Sequence, residues 1–167
     1  MKLALKDFSS HYVHPLTLVE DILKERGWPY EQIDAEGILC EIEGRWCAYR
    51  LYFIWREEEE CFMTSCILDA RVLDDQRQDT QQLISNFNPK MWMGHFELPQ
   101  EEEYVSYRYT LPLRGSMGLA PEQLEDLLES TISECDRFYP ALQFILWGGK
   151  SPEEAAFSAM IDIAGEA

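Results

Sequence analysis

The spacing of apolar residues predicts an amphipathic helix near the start of the chain. Pro15 suits a first helical position, and the apolar residues that follow recur at intervals of three and four: Leu16, Val19, Ile22 and Leu23. Gly27 and Pro29 end this pattern. We expect residues 1–14 to be a loose N-terminal segment, and residues 15–167 have the length of a single domain.

Alternation of apolar and polar residues predicts antiparallel strands after this helix. Short strands are expected at residues 30–33 and 38–42, and the clearest alternation covers residues 46–56. One face of that stretch is expected in the core and consists of Cys47, Tyr49, Leu51, Phe53 and Trp55. Residues 61–70 are apolar on both sides, as in a strand covered on both faces or lying in mid-sheet.

The second half of the chain predicts a further helix and two more strands. The helix covers roughly residues 75–88 and ends or kinks at Asn88-Pro89. Strands are then expected at residues 92–98 and 104–113. The inward residues of the latter strand are Val105, Tyr107, Tyr109, Leu111 and Leu113.

The strongest helical pattern follows Pro121, and its apolar face consists of Leu124, Leu127, Leu128, Ile132, Cys135, Phe138 and Leu142. Because Pro140 lacks an N–H, we expect a kink or break near Tyr139. A capping box at Ser151 opens a last helix, whose buried stripe would be Ala156, Ala159, Met160 and Ile163. The turns between strands are too short for parallel crossovers, so the sequence predicts an α+β fold with an antiparallel sheet.

The charge of the chain excludes some partners. It has 31 acidic residues against 14 Lys and Arg, giving a formal charge of −17. Such a field repels phosphate backbones and anionic lipids, so we expect neither nucleic acid nor membranes as partners. The acidic surface is either simply solvated or a docking field for a basic partner. No membrane segment or signal peptide is evident, and we expect a cytoplasmic protein.

No grouping of residues predicts catalysis. The five cysteines lack a C-x-x-C pair and fit apolar positions, as free buried thiols do. Residues 147–151 end like a phosphate-binding loop, but Phe144 stands where that motif needs glycine. The histidines, His11, His14 and His95, form no metal-binding motif. Pairing of Cys66 or Cys135 with His95 is a weak alternative, and we expect a non-enzyme without a cofactor.

Two groups of residues suit binding better. Four arginines and two tyrosines are expected on the face of their strands opposite the core: Arg50, Arg56, Arg108, Arg114, Tyr52 and Tyr104. The arginines either pair with neighbouring acids or lie under a helix with their stems packed, or the group forms an Arg/Tyr recognition face.

The second group lies between the second predicted helix and the next strand, and includes Met91, Trp92, Met93 and Phe96. Because alternation can bury only half of these side chains, they either pack in the core or form a partly exposed anchor for a partner.

Several blocks of this sequence also resemble a known family. They are Arg26-Gly27-Trp28-Pro29-Tyr30-Glu31, Gly44-Arg45-Trp46-Cys47, Trp55-Arg56-Glu57-Glu58, Met91-Trp92-Met93-Gly94-His95-Phe96, Glu134-Cys135-Asp136-Arg137-Phe138-Tyr139-Pro140 and Trp147-Gly148-Gly149-Lys150-Ser151-Pro152. In order and spacing they are similar to the YbjN family of bacterial sensory-transduction regulators. The resemblance implies a twisted antiparallel sheet with helices packed on it, as in type III secretion chaperones, and no catalytic residues to carry over.

The leading hypothesis is therefore a bacterial regulator or chaperone-like adaptor that binds a protein partner not identified by the sequence. The alternative is a small-molecule sensor with a pocket between sheet and helices, lined by residues such as Trp55 and Tyr107. We also expect a two-fold homodimer through the segment that contains Trp92 and Phe96.

Overall fold

The part of the chain that the structure describes folds into a single antiparallel sheet with three long α-helices packed on one face. The computed structural model describes residues 13–155 and residue 157. The elements in chain order are α1 (Pro15–Arg26), β1 (Tyr30–Asp34), β2 (Gly37–Glu43), β3 (Ala48–Arg56), β4 (Cys61–Arg71), α2 (Arg77–Phe87), β5 (His95–Glu97), β6 (Tyr104–Pro112) and α3 (Pro121–Leu146). One 3-10 turn precedes α2 and another follows it. The predicted α+β class is confirmed.

The six strands lie in the order β1-β2-β3-β4-β6-β5, and all neighbours are antiparallel. The first four strands form a meander. The chain then crosses through α2 to the far edge, makes β5, and returns as β6 between β5 and β4. This places β4 in mid-sheet, as its apolar pattern predicted.

The helices cover one face of the sheet, and no described helix packs on the other face. α1 contacts β3, α2 contacts β5, and α3 contacts β4 and β6. The large side chains buried between the two layers include Tyr49, Phe53, Phe62, Phe96, Tyr107 and Phe138. The inward face predicted for β3 is confirmed, with Cys47 half-buried just before the strand.

The ends of α1 match the sequence pattern. Pro15 is its first residue, the His14 imidazole accepts a hydrogen bond from the Leu16 N–H, and Gly27 ends the helix with a φ of 67°. Glycine reaches this left-handed conformation without the steric cost that other residues have. The predicted segment 1–14 falls mainly on residues outside the described ones, as do His11 and the stripe predicted from Ala156 to Ile163.

Two predicted boundaries were wrong. The strand expected at residues 92–98 is shortened to His95–Glu97, because Gly94 adopts a φ of 62° that interrupts an extended chain. Of the kink or break expected near Tyr139, the break does not occur, since α3 continues through Pro140 to Leu146.

The carbonyl of Asp136 explains why the helix tolerates this proline. In a regular helix it would accept from the N–H of residue 140, which proline lacks. Here the Trp46 indole N–H donates to this oxygen at 2.9 Å. A side chain from the loop between β2 and β3 therefore occupies the acceptor that Pro140 leaves without its helical donor.

Candidate functional site

The Met91–Phe96 segment forms an exposed corner of the molecule. The Trp92 side chain is 99% exposed, whereas Met93 is 38% exposed and Met91 packs partly against the core. We call residues 91–94 the Trp92 loop. A fully solvated indole is unusual, because exposing so large an apolar side chain to water is unfavourable. Such a side chain is also well suited to contact a binding partner.

The backbone that follows Trp92 is held by specific contacts. The Tyr107 hydroxyl donates to the Met93 carbonyl at 2.8 Å. Gly94 packs so closely on the Tyr107 ring that a Cβ at this position would overlap it. The Asn88 amide donates to the Phe96 carbonyl at 3.0 Å and accepts from the Phe96 N–H at 2.9 Å. The Trp92 side chain is thus presented from a fixed loop.

Phe96 does not belong to this exposed surface, which corrects the grouping predicted from the sequence. Its side chain is 1% exposed and stacks on Phe138 with ring centroids 4.0 Å apart. Its ring also meets Phe87 and Tyr107 edge to face. Alternation along β5 turns Phe96 into the core, and its neighbour His95 faces the open side of the sheet.

Three of the four arginines predicted on the outer face are there, and each of the three pairs with an acid; the prediction was wrong for Arg114, which lies beyond the end of β6. Arg108 contacts Glu97 at 2.6 Å, with two of its nitrogens on one carboxylate oxygen. Arg50 lies 3.7 Å from Asp69, and Arg56 lies 3.6 Å from Glu36. Arg50 also lies over the Tyr104 ring at 5.9 Å, whereas Arg114 follows β6 in an exposed turn.

An apolar centre lies between these ion pairs, and the sequence pattern did not predict it. Its members are the half-buried residues Leu39, Tyr52, Ile54, Met63 and Ile67. The strand register brings Leu39 opposite Tyr52 and Ile54 opposite Met63. The apolar residues on both faces of β4 were a sequence signal for this centre. A position of β4 in mid-sheet explained the same pattern without an exposed apolar surface. We call these five residues and the three ion pairs around them the open sheet face.

Two of the sequence blocks meet at Asp136. Its carboxylate accepts from the Tyr49 hydroxyl at 2.8 Å and from the Arg45 N–H at 3.0 Å. Burial, strengthened by this hydrogen bond to Asp136, raises the pKa of Tyr49 far above its ordinary value. The arrangement ties the loop between β2 and β3 to α3. It is a structural junction, because its polar groups satisfy one another.

Three of the five cysteines are buried, which limits access to their thiols. Cys40, Cys66 and Cys135 are buried, and Cys47 and Cys61 are half-buried. Burial raises the pKa of Cys40 to about 11 and that of Cys135 well above its usual value. His95 faces the open side of the sheet, whereas Cys66 faces the core. The weak Cys–His alternative is therefore not supported by the geometry.

Residues 147–151 form a helix ending and a helix start. The Phe144 carbonyl accepts from the N–H groups of Gly148 and Lys150. Ser151 and Glu154 then exchange the two hydrogen bonds of a capping box. Two backbone donors of the glycine-rich turn are thus already used, which confirms a capped turn in place of a phosphate-binding loop.

A shallow cavity of about 290 Å³ lies beside residues 117–122, the end of the loop before α3 and its first two residues, with Val13 and Leu18 in its wall. It is not the pocket anticipated between sheet and helices, because Trp55 and Tyr107 are both buried in the packed core.

Among residues 13–155 and 157, no group of His, Cys, Asp and Glu is arranged to hold a metal ion. In the same part of the chain, no helix has the length and apolar character to cross a membrane.

Comparisons with known proteins agree with this fold. Residues 15–144 match the model of the YbjN family, described as "Putative bacterial sensory transduction regulator". The chain is also similar to a crystal structure of YbjN, "a putative transcription regulator from E. coli", at 11% identity and a TM-score of 0.56. That similarity covers 77% of this chain and 91% of the other. None of the curated protein sequences compared matches significantly. The family match covers most of the chain, and the chain belongs to the YbjN family.

Proposed function

We propose that this chain is a non-enzymatic cytoplasmic regulator that binds another polypeptide through the Trp92 loop, in sensory transduction or a stress response. The family description supports a regulatory role. The observation that carries the proposal is the 99% exposure of Trp92 on a loop whose backbone is held at Met93, Gly94 and Phe96. A fixed, solvated indole is the kind of group that becomes a binding hot spot.

The energetics favour docking at this loop. Transfer of an indole of roughly 200 Å² from water is favourable by about 5 kcal/mol at ~25 cal/mol per Å². Because the hydrogen bonds at Met93 and Phe96 already order the backbone, binding loses little further entropy there. The half-buried Met91 and the partly exposed Met93 flank the indole with flexible apolar side chains that adapt to a partner.

The test is affinity purification from the native cell with the parent chain and with Trp92→Ala as baits. Trp147→Ala is the matched control, because Trp147 is 66% exposed and lies after α3, away from the Trp92 loop in sequence. A polypeptide retained by the parent and the control but lost by Trp92→Ala supports the proposal. Equal recovery by all three baits would remove Trp92 from the binding surface.

The cavity beside residues 117–122 favours a second candidate function, the sensing of a small molecule. Its volume of about 290 Å³ lies at the lower end of ligand sites, and its walls are mainly apolar with Glu122 at one side. Native mass spectrometry of chain purified from its own cell would detect a retained metabolite. Val13→Trp would fill the cavity and should abolish that signal, and an unchanged signal would place the ligand elsewhere.

A further inference from the structure

The open sheet face departs from the usual pattern of an antiparallel sheet that has one face in water. Outward positions in such a sheet are normally polar, because only the other face is buried. Here the outward positions at the centre carry half-buried apolar or aromatic side chains: Leu39, Tyr52, Ile54, Met63 and Ile67. No described α-helix packs on this side. Since apolar faces of sheets are normally buried against another element, this centre has the composition of a surface that a partner covers.

Three carboxylates on the same face have no counterion in the described chain. Alternation along β2 turns Glu41 and Glu43 to the same side as Leu39, and the strand register places Glu31 of β1 opposite Leu39. All three glutamates are exposed, and none forms an ion pair with a residue that the structure describes. We call Glu31, Glu41 and Glu43 the acidic strip.

The arginine opposite the acidic strip does not neutralise it. The register places Arg50 directly across from Glu41, but the guanidinium of Arg50 lies 3.7 Å from Asp69 on the other side. The other two ion pairs of the open sheet face are each balanced internally. The face is therefore net acidic at the side of β1 and β2, where like charges on neighbouring positions repel one another. A cation placed over the strip would relieve this repulsion.

The dimensions of the apolar centre match those of one α-helix. The centre covers three adjacent strands, β2 to β4, which is roughly 10 Å at about 4.8 Å per strand. From Met63 to Ile67 it extends roughly 13 Å along β4. An α-helix with its side chains is about 10 Å wide, and roughly 13 Å of helix contains about nine residues.

We infer that the open sheet face binds an amphipathic helix of a partner polypeptide, whose apolar side packs on the centre and whose Lys or Arg residues lie over the acidic strip. The arginines towards β6 are already paired and repel a cationic flank, so the basic residues of the helix lie on the flank that faces β1 and β2. This binding goes beyond the proposed function and is separate from the Trp92 loop.

Other occupants fit the charge of this face less well. A second copy of this chain would bring a charge of −17 and its own acidic strip against the first. Nucleic acids and anionic lipids are repelled by the same carboxylates. A basic helix has both features that the face asks for, an apolar side of the right width and positive charge beside it.

The probe is a synthetic peptide of Leu and Lys, about 18 residues long, which forms a helix of about five turns with one apolar face and Lys on its flank. Fluorescence anisotropy of the labelled peptide in about 50 mM salt measures its affinity for the full chain. A scrambled peptide without an apolar face, and a peptide with Glu in place of Lys, should each bind at least about 10-fold more weakly. A parent chain that does not bind the probe at about 500 μM overturns the inference.

Two double variants separate the acidic strip from the charge of the whole chain. Glu41→Gln with Glu43→Gln should weaken binding of the probe at least about 5-fold, because the strip loses two of its carboxylates. Asp126→Asn with Glu129→Gln is the matched control, since it removes the same charge from the exposed side of α3, which packs on the opposite face. The control should change the affinity less than about 2-fold. Equal weakening by the two double variants would mean that only net charge matters and would overturn the site.

Methyl NMR of the chain labelled at methionine locates the bound probe. Met63 lies in the apolar centre, Met93 in the Trp92 loop and Met117 beside the cavity. The Met63 methyl signal, assigned with Met63→Leu, should shift when the probe is added, whereas the signals of Met93 and Met117 should stay in place. A shift at Met93 or Met117 without one at Met63 would move the basic helix to another surface and overturn the inference.

These readouts are distinct from the test of the proposed function, which follows the capture of a native polypeptide by Trp92→Ala. A positive result at Met63 stands whether or not that capture depends on Trp92. Sedimentation of the chain alone covers the remaining occupant. A dimer that Met63→Ser dissociates, with an unchanged circular dichroism spectrum, would assign the open sheet face to a second copy and overturn the binding of a basic helix.

Discussion

The Tyr49 hydroxyl donates a 2.8 Å hydrogen bond to the carboxylate of Asp136, across 87 residues of sequence. The Tyr49 ring is fully buried and lies against Gly44, where a Cβ would overlap it. One tyrosine thus fixes both the tight approach of the loop before β3 and the position of α3 over the sheet. The Gly44-Arg45-Trp46-Cys47 block and the block around Asp136 therefore act as one structural unit.

Tyr49→Phe should destabilise the chain by about 1.5–3 kcal/mol, because it removes a buried hydrogen bond to a charged group and leaves the packing of the ring intact. Urea unfolding followed by circular dichroism measures the loss. Tyr52→Phe is the matched control, since Tyr52 lies on the open face of the same strand. Equal effects of the two changes would contradict a special role for the Asp136 contact.

Trp46 and Pro140 should be energetically coupled through the Asp136 carbonyl. Trp46→Phe removes the indole donor at 2.9 Å and should cost about 1–2 kcal/mol. In a Pro140→Ala background, the restored N–H of residue 140 can bond the same oxygen. Trp46→Phe should then cost about 1 kcal/mol less, and a double-mutant cycle in urea measures the difference. Strictly additive effects would show that the two groups do not share this acceptor.

Local patterns were sufficient to predict most of the elements. The alternation from Ala48 to Arg56 and the three-and-four spacing after Pro121 predicted β3 and α3, because burial on one face imposes those periods. The continuity of α3 through Pro140 was not predictable, since the compensating donor, Trp46, lies about 90 residues away in sequence. Local rules cannot show which distant side chain will replace a missing hydrogen bond.

The candidate surfaces show the same division. The sequence predicted correctly that Arg50, Arg56 and Arg108 face away from the core. It could not show that Trp92 is exposed and Phe96 is buried, because this difference depends on the left-handed backbone of Gly94 and the packing of Phe96 on Phe138. The apolar centre of the open face was also missed, since it forms from residues that meet only when the strand register is known.

Stability should fall steeply at alkaline pH. Burial raises the pKa of Tyr107 and Tyr139 to about 12, and raises that of Tyr49 further. A tyrosine in the unfolded chain ionises near pH ~10, so the folded state is favoured fully below that value. As the pH rises from ~10 towards ~12, the unfolded state loses protons that the folded state keeps, and each tyrosine removes up to about 1.4 kcal/mol per pH unit.

Urea unfolding at pH 7, 9, 10.5 and 11.5 measures this dependence. The buried thiol of Cys40, whose pKa is raised to about 11, should begin the decline from pH ~8.5. Tyr107→Phe should make the slope above pH 10 shallower by up to about 1.4 kcal/mol per pH unit, because one titrating group is lost. A free energy of unfolding that stays constant from pH 7 to 11.5 would contradict the inferred burial of these hydroxyls.

Gly94→Ala tests whether the backbone around Trp92 is held as the structure indicates. An added Cβ would overlap the Tyr107 ring and lie 2.9 Å from the Arg108 carbonyl, and the φ of 62° is strained for alanine. Gly115→Ala is the matched control, because Gly115 has a φ of 79° but no atom within 4 Å of an added Cβ. We expect a cost of about 1 kcal/mol at Gly115 from backbone strain alone, and about 1–3 kcal/mol more at Gly94 from the overlap. Urea unfolding gives both values.

Under the proposed function, Gly94→Ala should also weaken partner binding although Trp92 itself is retained, whereas Gly115→Ala should not. Equal costs at the two glycines would mean that the Trp92 loop is not packed against Tyr107, and its indole would then lack the fixed presentation on which the proposed binding depends.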